Sequence, residues 1–246
     1  MTKLVTLFVP CFVDQLTPQV AMDMAAVLQR VGYDLHYPEE QTCCGQPAFN
    51  AGFWGEARQV AERFVRVFRS AEMVVCPSGS CTALVRHSYP ELLAKTAMQD
   101  DALDLGKRVF EFSEFLVDVA GVTDVGACFP RSVTYHDSCH LLRELHIKEQ
   151  PRKLLRNVRG LNFIEMNASE ECCGFGGVFS VKFPEISGAM GDVKADNIVA
   201  SGAEYITACD PSCLMQIDGI LRRREAPIRT IHLSSILANT EGSTVS

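Results

Sequence analysis

Short apolar runs alternate with longer amphipathic stretches along this chain, and the alternation occurs twice. Leu4 to Val9 is a short apolar run, which reads as a strand buried on both faces. Thr17 and Pro18 come next, an N-cap residue followed by a proline suited to the first helical position. Val20, Met24, Val27, Leu28 and Val31 then keep a helical period until Gly32 stops it. "YDLHYP" predicts a second strand. Ala57, Val60, Ala61, Phe64, Val67 and Phe68 mark a second amphipathic helix, and "EMVVC" a third strand. The order recurs in the second half: "SVTYH", a helix around Pro151 to Val158, "LNFIEM", a helix near Met190 to Ala200, and "AEYIT". Strand–helix–strand–helix–strand predicts a parallel sheet with right-handed crossovers. The expected fold is therefore α/β, with two pseudo-equivalent repeats, each a small parallel sheet with crossover helices. The expected boundaries are 1–95 and 131–246, joined by a helical connecting segment over 96–130.

Composition narrows the function classes. With 246 residues the chain has material for one large domain or two small ones. A net charge of -7 argues against a nucleic-acid backbone as partner. No apolar run approaches a membrane span, and the longest, "LFVPCFV", is broken by Pro10. The N-terminal stretch lacks a strong basic leader and a small-residue cleavage site, so the expectation is an intact cytoplasmic protein. Eleven cysteines are many for such a chain. Disulfides do not persist in that compartment, which leaves metal or redox chemistry as the leading reading.

The cysteines follow the repeat. Cys11 is followed after 31 residues by Cys43-Cys44, after 31 more by Cys76, and after four by Cys81. Cys139 is followed after 32 residues by Cys172-Cys173, after 35 by Cys209, and after three by Cys213. Their flanks match as well: "VTLFVPC" with "VTYHDSC", and "VVCPSGSC" with "ITACDPSC". Ten cysteines thus read as two equivalent sets of five, with Cys128 left over as an ordinary small residue. Each group falls at or just beyond the carboxyl end of a predicted strand. Parallel strands place all those ends on one sheet edge, where open α/β folds build their sites, so a metal site at that edge is expected in each half. Sulfur-only ligation points to zinc or an iron–sulfur cluster. Zinc sites gather cysteines in close pairs and need four ligands, whereas clusters accept ligands from distant loops. The pattern favours clusters and leaves zinc as the alternative. Gly45 and Gly174 follow the paired cysteines, with Gly176 and Gly177 extending the second loop. They serve either as turn residues or to bring backbone N–H groups to sulfur.

Other residues have plainer readings. His136 and His140 flank Cys139 in "YHDSCH", and hydrogen bonds to a loop are the expected duty. Asp137 and Asp210 are expected to cap the turns that follow. Phe53 and Trp54 are expected to pack, and "RRRE" near Arg222 to be a solvated helix end. "GFGGVF" is not a dinucleotide fingerprint, and there is no phosphate loop of the GxxxxGK type.

The doubled Cys-x31–32-Cys-Cys-Gly…Cys pattern resembles the cysteine-rich CCG domain found in heterodisulfide reductase and in related iron–sulfur oxidoreductases, among them the glycolate oxidase iron–sulfur subunit. The chain more closely resembles the lactate utilization protein A family, through "CCGQPAFNAG", "CPSGSC", "DVGA", "CCGFGGVFSVKFPEISGAM" and "IHLSSIL". That resemblance implies an iron–sulfur electron-transfer subunit acting with two partner proteins in oxidation of L-lactate to pyruvate. It implies a [4Fe-4S] cluster, one or two per chain, with zinc as the alternative in one repeat. By motif position Cys11, Cys43, Cys44 and Cys81 would serve the first site, and Cys139, Cys172, Cys173 and Cys213 the second. Cys76 and Cys209 would be fifth ligands or merely nearby thiols. Here the closing pair is spaced by four and three residues where the related domain has two. The alternatives are a heterodisulfide-reductase-like thiol/disulfide redox subunit and a zinc-stabilised non-redox scaffold. Catalytic residues proper are not identified.

Overall fold

The computed structural model describes residues 3–241; Met1, Thr2 and 242–246 of the expected outer boundaries lie outside the described residues. The first half runs β1 (Lys3–Leu7), α1 (Cys11–Leu16), α2 (Pro18–Arg30), β2 (Tyr33–His36), α3 (Gln46–Asn50), α4 (Trp54–Phe68) and β3 (Val74–Cys76). It continues through α5 (Gly79–Ala83), a π-helical turn at Leu84–Ser88, α6 (Tyr89–Leu92), α7 (Gln99–Gly106), β4 (Val109–Glu111), α8 (Phe112–Glu114) and a second π-helical turn at Phe115–Val119. The second half holds β5 (Ser132–Tyr135), α9 (Cys139–Arg143), α10 (Glu149–Arg156), β6 (Asn162–Phe163), α11 (Val178–Lys182) and α12 (Pro184–Ala200). It closes with β7 (Tyr205–Ala208), α13 (Pro211–Arg223), β8 (Arg229–His232) and α14 (Leu233–Ala238).

Two four-stranded parallel sheets result, ordered β2-β1-β3-β4 and β6-β5-β7-β8. The α/β class and the duplication follow the hydrophobic pattern as predicted. The fourth strand of each sheet does not. β4 lies inside the segment expected to be a helical connection, and it pairs in parallel with β3, Val74 opposite Val109 and Cys76 opposite Glu111. Three residues ending in an acidic side chain give no readable period, and their strand identity comes from the neighbour they pair with. At the start of α2, Pro18 takes the first turn as expected, but Thr17 makes no side-chain capping bond.

The register aligns the repeats residue by residue. Thr6 pairs with Val74 as Thr134 pairs with Ile206, so Thr6 and Thr134 are equivalent. Phe8 N–H donates to Val75 O and His136 N–H to Thr207 O, both at 2.9 Å, which extends the equivalence to Phe8 and His136. Glu111 and His232 both cap the helix that follows, accepting from Ser113 and Ser234 N–H.

The core is shared by the two halves. Val5, Leu7, Phe115, Val133, Tyr135, Leu233 and Leu237 belong to one buried cluster. Exchange of end elements builds it: α14 packs on α2, while α8 and the Phe115–Val119 turn pack on α10. Arg30 ties the junction by donating to Leu237 O at 2.9 Å and Val125 O at 3.2 Å. Phe8, edge-on to Phe64 at 4.7 Å and to Phe68 at 5.7 Å, anchors a second cluster. Each such buried ring contributes roughly 1.5–3 kcal/mol. Among the described residues, no helix is long and apolar enough to cross a membrane.

Candidate metal centre

In the first half, strand ends deliver the thiols. Cys11 opens α1 just past β1, Cys43 and Cys44 sit on the loop after β2, and Cys81 lies in α5 after β3. Cys11 Sγ is 3.3 Å from Cys43 Sγ, and Cys44 Sγ 3.3 Å from Cys81 Sγ. Gly45, at φ +89°, turns the chain into α3 and donates its N–H to Cys43 Sγ at 3.3 Å. Tyr89 Oη donates to Cys44 O at 2.7 Å and pins the pair from below. Hydrogen bonds from the thiols of Cys11 and Cys44 and from the Gly45 N–H push the Cys43 thiol down to about 3. The same sharing, with burial, pushes Cys11 and Cys44 up.

The second half repeats the arrangement. Cys139 opens α9 past β5, Cys172 and Cys173 follow β6, and Cys213 lies in the first turn of α13. Gly174, at φ +86°, donates to Cys172 Sγ at 3.4 Å. A side chain there would collide with Ser187 O and sit 3.2 Å from Met190 Cβ; Ser187 Oγ in turn donates to Gly174 O at 2.7 Å. Cys172 is pushed down to about 2 by hydrogen bonds from Cys139 and Cys173, and Cys213 down to about 6, chiefly by Cys173. Cys139 and Cys173 move up. Behind Cys139, Asp137 is held by both guanidinium nitrogens of Arg152, at 2.8 and 2.7 Å.

The two sets face the same opening. Cys11, Cys43, Cys44 and Cys81 on one side and Cys139, Cys172, Cys173 and Cys213 on the other line a single solvent-open cleft. The halves touch around it. Gln46 Nε2 lies 3.5 Å from His140 Nε2, and the Phe12 and Phe175 rings are edge-on at 5.8 Å. Asp210 caps α13 from Ser212 N–H at 3.2 Å and also accepts from Ser80 N–H of the other half at 2.9 Å. Sequence spacing pointed to a site in each half; that both open on one cleft depends on how the sheets are placed against each other.

Cys76 and Cys209 stand apart. Both are fully buried, and neither lines the cleft. Nor are they equivalent: Cys76 pairs with Glu111 on β4 and Ala208 with His232 on β8, so the repeat partner of Cys76 is Ala208 and Cys209 is one residue further on. Cys76 Sγ donates to Ser78 O at 3.6 Å, and Cys209 Sγ accepts from Tyr135 Oη at 3.4 Å. Cys128 is half-buried and pairs by its backbone with Arg159. Three other expectations change. Asp137 is an ion-pair partner and not a cap. Phe53 and Trp54 are 60 % and 62 % exposed rather than packed, with Trp54 stacked on Phe49. His136 makes no side-chain hydrogen bond to a loop among the described residues: neither ring nitrogen has a partner. It lies instead beside Cys173 and Cys213, its ligand atom and theirs mutually within 4.8 Å. Arg222 and Arg223 are exposed as expected, and Arg224 pairs with Asp192 and Asp196.

The donor chemistry fits a thiophilic metal. Four sulfurs converging over a few ångströms repel one another once ionised, and multivalent positive charge offsets that repulsion. Both sets line the wall of the open cleft.

A family model described as a cysteine-rich domain, CCG, matches residues 5–86 and 133–218. Lactate utilization protein A of Oceanobacillus iheyensis is 42% identical over 234 residues, covering 95% of this chain and 96% of that one. The Bacillus pumilus protein of the same name is 44% identical over 95% of this chain and 98% of its own. The Bacillus subtilis one is 41% identical over 95% and 98%. A crystal structure of a hypothetical protein from Helicobacter pylori superposes with a TM-score of 0.60 at 12% identity, covering 98% of this chain and 49% of that chain, and shows likeness of fold alone.

Proposed function

Because the chain belongs to the lactate utilization protein A family and holds the cysteine-rich CCG domain twice, we propose that it is the iron–sulfur electron-transfer subunit of a lactate-oxidising complex with two partner proteins. The observation that carries this reading is the two sets of four thiols lining one cleft. Cys11, Cys43, Cys44 and Cys81 would hold one cluster, and Cys139, Cys172, Cys173 and Cys213 a second. A bound [4Fe-4S] cluster supplies one-electron transfer. The protein's part is to fix the thiolates and stabilise their charge. Gly45 and Gly174 N–H groups donate to Cys43 and Cys172, and the low-titrating Cys43 and Cys172 enter binding already ionised. Cys76 and Cys209 serve as buried thiols behind the sites. Oxidation of a 2-hydroxy acid breaks a C–H bond and moves two electrons; that step is assigned to a partner carrying a hydride- or electron-pair-accepting cofactor.

Iron, acid-labile sulfide and zinc content of anaerobically purified protein, with EPR spectra on the same sample, test the reading. Iron and sulfide near stoichiometry and a signal that changes on reduction are expected; zinc without sulfide overturns it in favour of a scaffold. The open cleft between the sets favours a second reading, thiol/disulfide redox chemistry on a small sulfur substrate. Turnover of a disulfide by the isolated holoprotein would select it.

A further inference from the structure

We propose that the two cysteine sets are electronically unequal, with the His136 imidazole donating an N–H hydrogen bond to the sulfur of Cys213 and thereby raising the reduction potential of the second site above the first. This rests on the iron–sulfur reading above.

The repeat itself supplies the comparison. His136 and Phe8 are equivalent by strand register and by matching backbone bonds. In the first half the slot holds an apolar ring packed on Phe64 and Phe68. In the second it holds an imidazole that is 1 % exposed, with neither ring nitrogen hydrogen-bonded among the described residues. A buried polar group left unpaired is destabilising. The sulfurs of Cys173 and Cys213 lie within 4.8 Å of the ring's ligand atom, and both become stronger acceptors as thiolates. His136 is not part of the cleft wall, whereas both cysteines are. The ring therefore meets the sulfurs from the protein side, the place of a donor to a ligand and not of a ligand.

Neighbouring groups fix the ring's approach. Asp137, the next residue, is locked by Arg152 and by its own N–H to Ser169 O at 3.0 Å. The glycine donors are matched between halves, Gly45 N–H at 3.3 Å and Gly174 N–H at 3.4 Å. His140, whose Nδ1 is 3.5 Å from Cys139 Sγ where the first half has Phe12, is a second unmatched ring but a partly exposed one. Asp210 is shared by both halves through Ser80 and Ser212. An N–H directed at a coordinating sulfur stabilises the more negative, reduced state and so raises the potential. Electrons would then settle on the second site before the first.

The test is an EPR-monitored redox titration of the holoprotein, its H136F variant and its H136Q variant. Phenylalanine gives the second half the residue of the first; glutamine keeps a side-chain N–H. In the wild type, two separated potentials are expected. H136F should lower the higher potential and leave the lower one in place with iron and sulfide unchanged, and H136Q should restore most of the shift. In protein carrying 15N-histidine, pulsed EPR should show a weak nitrogen coupling of hydrogen-bond size that is present in the wild type and absent in H136F. Unchanged potentials in H136F, equal shifts in both variants, no coupling, or the strong coupling of a direct ligand would each overturn the inference while leaving the iron–sulfur reading intact. Wild-type protein without iron would remove both.

Discussion

Replacing Arg152 with methionine isolates one buried charge that underlies the second site. Arg152 donates to Asp137 at 2.8 and 2.7 Å and to Glu165 at 2.8 and 2.7 Å. The Arg152 side chain is 3 % exposed, that of Asp137 0 %, and that of Glu165 45 %. Methionine keeps apolar bulk beneath Tyr135, over which the guanidinium lies at 5.1 Å, and removes the charge. Glu165 then turns to water at a cost of at most about 1 kcal/mol. Asp137 has no such escape, and a buried carboxylate without its partner costs about 3–5 kcal/mol at pH 7. That is a large share of the roughly 5–15 kcal/mol by which domains are stable. Burial alone would raise the Asp137 carboxyl, but the Arg152 fork overrides it and holds the group below its usual range. Its folded pKa is thus below its unfolded one, so the pair's contribution is present above the ordinary carboxylate range and lost as pH falls through the folded value. In R152M the penalty is therefore largest at neutral pH and shrinks in acid, where Asp137 takes a proton. Urea denaturation at pH 7 of wild type, R152M, D137N and the double variant measures it. R152M should lose about 3–5 kcal/mol, and the double variant should recover most of that loss because no unpaired charge remains. A loss below about 1 kcal/mol, or a double variant no more stable than R152M, refutes the reasoning.

Three further outcomes follow from the geometry. Alanine at Gly174 meets both a left-handed backbone and the Ser187 carbonyl, while alanine at Gly45 meets the backbone cost and Val60 side-chain atoms at 3.3 Å. G174A should lose about 2–4 kcal/mol and G45A about 1–2, with equal urea midpoints as the contrary result. C81S should halve the iron bound per chain and C76S should leave it unchanged; iron loss in C76S would return that thiol to the ligand set. Burial lowers the His232 imidazole to about 4 from 6.5, so the unfolded chain binds the proton first. About 3 kcal/mol of stability should disappear as pH falls from 6.5 to 4. H232N, which keeps a capping acceptor for Ser234, should lose that slope, and parallel pH curves for the two proteins would refute it.

Much of the architecture was legible in one dimension. β1, β3, β5 and β7 are central strands, and their apolar runs announce them. β4 and β8 are edge strands, short and with polar residues at their ends, so pairing with a neighbour makes them strands more than composition does. Eight thiols could be placed at strand ends by counting. For Cys76 and Cys209 counting left two readings open, and the unequal spacing of four and three residues in the closing pairs is the same one-residue offset that the sheet register shows. His136 was visible as a polar residue beside a cysteine, but its lack of any partner is a property of its surroundings. The shared cleft was out of reach for a similar reason, since no local pattern encodes where one sheet stands relative to another.

The exchange of end helices, α14 onto α2 and the Phe112–Val119 segment onto α10, gives the chain the contact pattern of an isologous dimer joined by a covalent tether. Each half completes the other's interior, and the tether keeps its partner at high effective concentration. The cleft then lies where the approximate dyad would pass, with a sulfur set on either side. In two separate copies any change in sequence would appear on both sides at once. In a joined pair each side varies alone, which is what allows a phenylalanine and a histidine to stand at Phe8 and His136 across the same axis.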